Sequence, residues 1–245
     1  MTSRVVVVTG SATGIGEAAA HAFAALGDTV YLVDIDQTGG TRVASEVGDS
    51  ARFLRCDLVD EGEVRATVAE IEAEAGAIDV LVNNAGGFGE AKGIEDLDLD
   101  EWRRLLDVNL TSMFLMTQAA LPLLRRGTGR RIINLGSLAG QTAGWKTSPA
   151  YVAAKGGVHA LTRAMATELA PDRITVNALA PSAVLTDRIR RLRDEEALAA
   201  TAATIPLGRY QEPAETAAWI VFLASEEAGF MTGQTVSVNG GRLMT

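Results

Sequence analysis

Tyr151 and Lys155 stand four residues apart in the segment YVAAK, a spacing that places both side chains on one face of a helix. A free phenol has a pKa of about 10, so at neutral pH it is a poor proton acceptor. An ammonium about 4 Å away, at an effective dielectric of about 20, favours the phenolate by about 4 kcal/mol, or roughly three pKa units. The pair therefore has the chemistry of an acid–base catalyst acting on a hydroxyl or carbonyl oxygen.

Two further polar side chains suit the same chemistry. Ser137 follows the strand-like RRIINLG, where its hydroxyl would hydrogen-bond a substrate oxygen whose charge changes. An ordinary cap at the strand end is the alternative. Asn109 lies inside a helical pattern, where asparagine is unfavourable. A functional kink or water site explains its presence, and so does a tolerated interior amide.

A glycine loop lies between a strand-like run and a helical pattern, in VVVVTGSATGIG. Gly10, Gly14 and Gly16 are spaced four and then two apart, whereas the usual dinucleotide fingerprint spaces its glycines two and then three apart. Unpaired N–H groups and the macrodipole at a helix start favour an anion such as a pyrophosphate, and glycines let the backbone approach it. A plain turn is the alternative.

An acidic residue follows the second strand-like run, TVYLV. Asp34 lies eighteen residues past Gly16, where it would accept hydrogen bonds from an adenosine ribose diol and repel a 2′-phosphate. Arg and Lys are absent from the positions just after it, and Thr13 in the loop is neutral, so the sequence favours NAD over NADP. A cap for the next turn, DIDQTGG, is the alternative role, and Asp36 is a less well-placed competitor.

Short β-branched runs alternate with longer helical patterns. The strand-like runs are Val5–Val8, Thr29–Val33, Arg52–Leu54, Ile78–Val82, Arg131–Asn134, Ile174–Ala178 and Thr235–Val238. The helical patterns are Gly16–Leu26, Glu61–Ala75, Asp100–Arg126, Ala150–Leu169 and Pro213–Ala224. Buried parallel strands joined by right-handed crossovers predict an α/β fold: a doubly wound parallel sheet of about seven strands with helices on both faces. We expect a single domain over residues 1–245.

Two of these helices, over residues 105–124 and 150–169, are apolar on more than one stripe, which predicts burial on both sides. The sheet covers one side only. We favour a second subunit on the other side; a cap made by the chain's own loops is the alternative.

The composition excludes several classes of protein. The 245 residues are 47% hydrophobic and 22% charged, as in ordinary globular chains. No window holds the ~18 consecutive apolar residues of a membrane span, and the formal charge of −9 argues against nucleic-acid and anionic-membrane partners. Cys56 is the only cysteine, and the start MTSR leaves no room for a signal peptide, so we expect a cytoplasmic protein. His21 and His159 lack metal-ligand spacing, and we expect no metal.

Five motifs together resemble the short-chain dehydrogenase/reductase family: TGSATGIG (Thr9–Gly16), NNAG (Asn83–Gly86), Asn109, Ser137 and YVAAK (Tyr151–Lys155). The likeness extends to VNGG at Val238–Gly241, and TGxxxGIG is that family's own glycine spacing. The resemblance implies a Rossmann-type fold and an NAD(P)-dependent oxidoreductase. It also implies that Ser137, Tyr151, Lys155 and Asn109 are catalytic, with Lys155 also holding the nicotinamide ribose and Asn109 a proton-relaying water.

The resemblance further implies a set of cofactor contacts along the strand ends. These come from Gly10, Thr13, Gly14, Ile15, Gly16, Asp34, Asp57, Leu58, Asn83, Ala85, Gly86, Tyr151, Lys155, Pro181, Val184 and Thr186. Asp57 resembles the contact to the adenine amino group, and an N-cap for the helix opening at DEGEV is its alternative role.

The substrate side is less clearly specified. The family's usual Pro-Gly is Pro181-Ser182 here, which puts the backbone contact to the nicotinamide in doubt. A lid is expected at about residues 182–211, and its run Arg188–Arg193 suggests either an anion clamp or a solvated helix paired with Asp194–Glu196. The candidate lining residues are Phe88, Leu138, Trp145 and Ala183.

We therefore expect an alcohol dehydrogenase or carbonyl reductase that uses NAD in preference to NADP, acts on a small secondary alcohol or ketone, and forms a homotetramer or dimer. An epimerase, dehydratase or imine reductase built on the same site is one alternative. A non-catalytic dinucleotide sensor is another, although a sensor has no need of a tuned phenol.

Overall fold

The computed structural model of the protein describes residues 3–142 and 147–244. Its strands form one parallel sheet in the order β3-β2-β1-β4-β5-β6-β7. They are β1 (Val5–Thr9), β2 (Thr29–Asp34), β3 (Ala51–Arg55), β4 (Val80–Asn83), β5 (Arg131–Leu135), β6 (Thr175–Pro181) and β7 (Thr235–Val238). The predicted fold class, a doubly wound parallel sheet with helices on both faces, is confirmed.

Helices cover both faces of this sheet. They are α1 (Gly14–Ala25), α2 (Gln37–Val47), α3 (Glu61–Ala75), α4 (Leu99–Leu106), α5 (Ser112–Arg126), α6 (Pro149–Leu169), α7 (Asp187–Leu192), α8 (Glu195–Ala202) and α9 (Pro213–Leu223). Side chains of α3, α5 and α6 pack in one core, and those of α1, α2 and α9 pack in the other. None of the helices in the described residues has the length and apolar character needed to cross a bilayer. The cytoplasmic location stays a prediction.

Strand β1 begins with four valines and shows no alternation of apolar and polar residues, because both of its faces are buried. Val7 faces the core under α3, α5 and α6, whereas Val6 and Val8 face the core under α1, α2 and α9. A strand buried on both faces must be apolar at every position, and β-branched residues suit its pleated backbone.

Helix α2 was not among the helical patterns of the sequence, because Gly39 and Gly40 lie inside it and weaken helix propensity. The structure gives a reason for Gly40: a Cβ there would lie 2.0 Å from the ring of Phe53 on β3, so only glycine allows this close packing. Asp36 begins α2 as its N-cap, with its carboxylate accepting N–H bonds from Thr38 and Gly39.

The order of the strands fixes where ligands meet the sheet. The chain moves outward from β1 to β3 and then returns to β4 on the other side of β1. Crossovers therefore diverge at the carboxyl ends of β1 and β4, leaving a crevice that is the usual ligand site of doubly wound sheets. The glycine loop, the NNAG segment and Ser137 follow strand ends at this edge, and the YVAAK segment lies at the start of α6.

Candidate active site

Lys155 lies in the second turn of α6, which Pro149 begins at a position where proline suits a helix. Its side chain is only 4% exposed, and its Nζ donates a hydrogen bond of 2.6 Å to the carbonyl of Leu135 at the end of β5. Burial lowers the pKa of Lys155 to about 8. An ammonium has three donors, so Lys155 retains capacity for hydroxyl groups of a ligand in the crevice.

Tyr151 lies one turn earlier on the same helix, with Lys155 Nζ 5.9 Å from the centroid of its ring. Burial raises the pKa of the phenol above its ordinary value, while a hydrogen bond with Ser137 and the positive charge of Arg188 oppose that rise. The direction is opposite to the sequence expectation, because desolvation of the phenolate outweighs the hydrogen bond with Ser137 and the charge of Arg188.

Ser137 begins a 3-10 turn over Leu138–Gly140, and its Oγ accepts a hydrogen bond of 3.1 Å from the N–H of Ala139. The hydroxyl therefore caps the turn, which was its alternative role in the sequence, and it also hydrogen-bonds Tyr151. Its bond to a substrate oxygen stays a prediction. The backbone N–H of Ser137 donates to Nε2 of His159 at 3.4 Å.

His159 has a part in this arrangement that its sequence position did not indicate. It is 5% exposed, and burial lowers its pKa to about 4, against which a hydrogen bond with the backbone of Gly140 acts weakly. A neutral imidazole therefore joins both ends of the turn that carries Ser137. A Cβ at residue 136 would lie 2.2 Å from His159 Nε2, which accounts for Gly136 before the serine.

Asn109 lies in a π-helical turn, Asp107–Thr111, between α4 and α5. Its buried amide accepts from the N–H of Gly87 at 3.0 Å and donates to the Gly87 carbonyl at 2.8 Å and the Leu105 carbonyl at 2.9 Å. The sequence suggested a functional kink or a tolerated amide. The helix is indeed distorted here, and the amide fastens the loop after β4 to it.

In the glycine loop between β1 and α1, the absence of Cβ atoms allows neighbouring backbone segments to lie close together. Gly10 has φ +63°, and a Cβ there would lie 2.7 Å from the Cα of Ala85. Asn84 holds the loop from β4, with Nδ2 donating to the Thr9 carbonyl at 3.0 Å and the Gly10 carbonyl at 2.8 Å. A Cβ at Gly14 would lie 3.0 Å from Thr186. This Cβ-free cradle at a helix start fits a pyrophosphate, so the residues present suit a dinucleotide.

Asp34 lies at the rim of this loop. One carboxylate oxygen accepts from the Ala12 N–H at 2.9 Å and the other from the Asp36 N–H at 2.9 Å. Asp34 thus bonds the turn that precedes α2, whereas the N-cap of α2 itself is Asp36. Arg42, which follows eight residues later, folds back so that Nη2 donates to the Ala12 carbonyl at 3.1 Å. Arg and Lys are absent from the positions just after Asp34, as the sequence shows, but α2 returns the Arg42 side chain to the glycine loop beside Ala12.

The charge of Arg42 is already matched by two carboxylates. Its Nη1 lies 2.8 Å from Glu17 and 2.9 Å from Glu46. The same carboxylates and His21 are close enough together to share a metal ion. The guanidinium of Arg42 lies beside both carboxylates and balances their negative charge. That the protein binds no metal stays a prediction.

Several other predicted cofactor residues serve the scaffold. Asn83 is buried, with Nδ2 donating to Thr117 and to Asn134 at 2.9 Å each, so its side chain ties β4 to α5 and β5. The side chain of Leu58 packs in the core. Asp57 accepts from the Val59 N–H, and Asp60, not Asp57, caps α3. The N-cap alternative for Asp57 is therefore wrong, whereas its adenine contact stays a prediction.

Four more of the predicted cofactor residues lie in the glycine loop, in the first turn of α1 or after β4. Thr13 occupies the N-cap position of α1 with no side-chain cap bond in the described residues, and Ile15 packs at the edge of the core. A Cβ at Gly86 would lie 3.4 Å from Lys155 Nζ, which places the loop after β4 beside the candidate catalytic lysine. Gly16 lies against the Gly10 carbonyl, where a Cβ would lie 2.1 Å away.

The lid segment leaves the sheet after Pro181. Val184 pairs with Gln211 in a parallel bridge, so the two ends of the predicted lid lie side by side. Thr186 caps α7 through the Ile189 N–H. Ser182, where the family usually has glycine, accepts a hydrogen bond of 3.1 Å from Arg242, which ties the C-terminal segment to the lid.

The ion pairs that the sequence suggested within the lid are not formed among the described residues. The helix breaks at Arg193, where the backbone is extended, and Asp194 caps α8. The arginine run and the acidic run therefore lie on separate helices. Arg190 lies 3.9 Å from Glu212 instead.

A cavity of about 780 Å³ opens between the loop after β4, α4 and the lid. Phe88 lines it together with Thr147 and Arg188, and the contact of Phe88 with substrate stays a prediction. Leu138 is buried below the site, and Ala183 belongs to the lid base, where its carbonyl accepts from the Gln211 N–H. Trp145 lies outside the described residues.

Comparisons with known proteins cover nearly the whole chain. A family model described as enoyl-(acyl carrier protein) reductase matches residues 10–242. A 3-oxoacyl-(acyl-carrier-protein) reductase of Vibrio harveyi is 38% identical over 98% of each chain. The trans-4-hydroxycyclohexanecarboxylate dehydrogenase of Sinomonas cyclohexanicum is 37% identical over 97% of this chain and 92% of its own. The solved RhlG/NADP complex of Pseudomonas aeruginosa has a TM-score of 0.90 and 33% identity, covering 98% of this chain and 96% of that one.

Proposed function

Because the chain belongs to the short-chain dehydrogenase/reductase family, we propose that it interconverts a secondary alcohol and a ketone by hydride transfer with NAD(H). The observation that carries the proposal is the convergence of Ser137, Tyr151 and Lys155 beside the glycine loop, at the carboxyl edge of the sheet. A sensor of dinucleotides would need the loop but not this side-chain set.

The chemistry follows from what each side chain can do. Bound NAD(H) supplies or accepts the hydride. Tyr151 gives a proton to the substrate oxygen during reduction and takes it back during oxidation. Ser137 hydrogen-bonds the same oxygen, since its hydroxyl already meets the phenol. Lys155, whose Nζ lies 5.9 Å from the centroid of the Tyr151 ring, favours the phenolate through its positive charge.

The preference for NAD rests on the charges at the loop rim. The Asp34 carboxylate is fixed by two backbone N–H groups and retains acceptor capacity for a ribose diol. A 2′-phosphate placed there would meet this carboxylate, and Arg42 offers little compensation because Glu17 and Glu46 already hold it. The NADP in the solved relative belongs to that protein.

We also propose that a second copy of the chain covers the outer face of α5 and α6. Phe114 on α5 is 44% exposed, and Ala153 and Ala160 on α6 are exposed as well. Sedimentation of the purified protein tests this proposal. A Phe114→Lys variant should shift the assembly towards the monomer, and a monomeric parent protein would contradict the proposal.

The function is tested by mixing the purified protein with NAD(H) or NADP(H) and a panel of alcohols and ketones. Tyr151→Phe should lower turnover by about 10²- to 10⁴-fold while NADH affinity is retained. Tyr31→Phe is the matched control, because the Tyr31 hydroxyl bonds Glu74 on α3 and no residue of the candidate site. Activity unaffected by Tyr151→Phe would contradict the proposal.

The same panel separates the rival activities. An epimerase or dehydratase would convert substrate without a net change in NADH. An imine reductase would reduce imines, which are therefore added to the panel together with the corresponding amines. A sensor would bind dinucleotide with no turnover of any panel member.

A further inference from the structure

Three arginines that line the cavity beside the lid form no ion pair with another described residue. Four cationic side chains line it, Lys92, Arg104, Arg188 and Arg193, in a chain whose formal charge is −9. Lys92 is matched, since its Nζ lies 2.6 Å from Glu101 and 3.7 Å from Asp98. No ion pair in the described part of the chain joins any of the three arginines to a carboxylate.

Two further acidic residues line the same cavity. The charge of Glu90 acts on Lys92, and Asp100 lies 3.9 Å from Arg103. Acidic side chains are therefore grouped on the α4 side of the cavity, whereas Arg188 and Arg193 extend from the lid.

Arg188 is held in a defined position. Its guanidinium carbon lies 4.7 Å above the centroid of the Phe88 ring, and Nη2 donates to the Phe88 carbonyl at 3.1 Å. A guanidinium has five N–H donors in a rigid planar fork, so this anchoring leaves donors for a carboxylate. Preorganisation of this kind reduces the entropy lost when a ligand binds.

The same loop brings this fork close to the candidate catalytic lysine. A Cβ at Gly86 would lie 3.4 Å from Lys155 Nζ, and a Cβ at Gly87 would lie 2.7 Å from Arg188 Nη1. Consecutive Cα atoms are about 3.8 Å apart. The two cations therefore lie against neighbouring residues of one loop, within the length of a small organic substrate.

We propose that the cavity binds a carboxylate of the substrate, with Arg188 as its fork and Arg104 and Arg193 adding to the positive field, while the reacting carbon lies at Tyr151. The inference rests on the proposed function and adds the substrate class, a hydroxy or oxo acid. A phosphate monoester shares the chemistry and is a separate arm of the test.

The test uses straight-chain and cyclic hydroxy acids, each paired with its isosteric carboxamide and, where the skeleton allows, a phosphate monoester. Calorimetry measures the binding of each probe to the protein–NADH complex, and steady-state kinetics gives kcat/KM. We expect the carboxylate to bind roughly 10- to 100-fold more tightly than its carboxamide. Arg188→Gln should abolish that preference, and Arg188→Lys should restore only part of it, because an ammonium lacks the planar fork.

Arg191→Gln is the matched control, since Arg191 lies on α7 but is not among the side chains lining the cavity. It should leave the carboxylate preference unchanged. The preference in the parent protein should also decrease with added salt, because the cavity is open to solvent.

The outcomes separate this inference from the proposed function. Selective carboxylate binding that Arg188→Gln abolishes, without turnover, would support the cavity and contradict the oxidoreductase. Turnover with equal affinity for carboxylate and carboxamide, or no binding of any carboxylate, would overturn the cavity assignment. A loss of NADH affinity in Arg188→Gln would also overturn it, because the arginine would then serve the cofactor phosphates. A preference for the phosphate monoester over the carboxylate would replace the proposed ligand.

Discussion

Acid should destabilise the protein through His159, which lies beneath the Ser137 turn. Burial holds the pKa of this imidazole at about 4 in the folded chain, whereas an unfolded histidine has a pKa of about 6.5. The folded state therefore binds fewer protons than the unfolded state between these values. The stability that His159 confers is complete above the unfolded pKa and is lost as the pH falls towards the folded pKa.

The size of the effect follows from the two pKa values. The whole difference corresponds to about 3 kcal/mol, and the part lost between about pH 7.5 and about pH 5 is about 2 kcal/mol. Replacing His159 by glutamine removes this titration while keeping a side chain that can hydrogen-bond the backbone. The free energy of unfolding of His159→Gln should therefore change less with pH than that of the parent, by about 2 kcal/mol over this range.

Urea unfolding followed by circular dichroism measures this difference, at one protein concentration because association also stabilises the fold. His21→Gln is the matched control, since His21 is exposed on α1 beside Glu46. It should leave the pH dependence close to that of the parent. Parallel curves for the parent and His159→Gln would refute the reasoning, because they would mean that His159 protonates freely in the folded chain.

Three other changes have expected results that follow from single contacts. Asp34→Ala should narrow the preference for NAD over NADP, measured as a ratio of kcat/KM values, whereas Asp36→Ala should weaken α2 and leave that ratio closer to the parent's; an unchanged ratio in Asp34→Ala would contradict the ribose role. Lys155→Met should raise the free energy of unfolding at neutral pH by up to about 3 kcal/mol, because the folded pKa of about 8 means that charging this buried lysine costs stability as the pH falls. The same variant should require more alkaline conditions for alcohol oxidation, and an unmoved pH profile would remove the electrostatic argument. Asp79→Ala should destabilise the fold by about 3 kcal/mol or more in urea unfolding, since three backbone N–H groups, including that of Thr128, lose their buried acceptor.

The sequence predicted the sheet well because buried parallel strands leave a direct signal. Each of the seven β-branched runs corresponds to a strand within three residues at either end, since a strand covered on both faces must be apolar throughout. Helix α2 was missed because its own residues argue against a helix. What stabilises it is the Asp36 cap and the packing of Gly40 on Phe53, a contact with another element.

The candidate catalytic residues could also be singled out from the sequence, whereas the contacts that hold them in place could not. Tyr151 and Lys155 share a helix, so their spacing alone relates them. His159 meets Ser137 across the gap between β5 and α6, and Arg42 meets Ala12 because α2 folds back over the loop. Neither contact has a local sequence signature. The direction of the Tyr151 pKa was mistaken for a related reason: the helix spacing reveals the nearby charge but not the desolvation.

The proposed chemistry requires that the phenol of Tyr151 lose its proton more readily once the dinucleotide is bound. Ultraviolet difference titration of phenolate tests this directly, because the chain has only three tyrosines and Tyr151→Phe supplies the baseline. Subtracting the variant from the parent isolates the Tyr151 signal with and without NAD.

We predict that Tyr151 ionises above its ordinary pKa in the free protein and well below it when NAD is bound, because the positive nicotinamide ring and Lys155 then both favour the phenolate. A titration that stays above the ordinary value with NAD bound would contradict the account, since the phenol would then hold its proton throughout the working range.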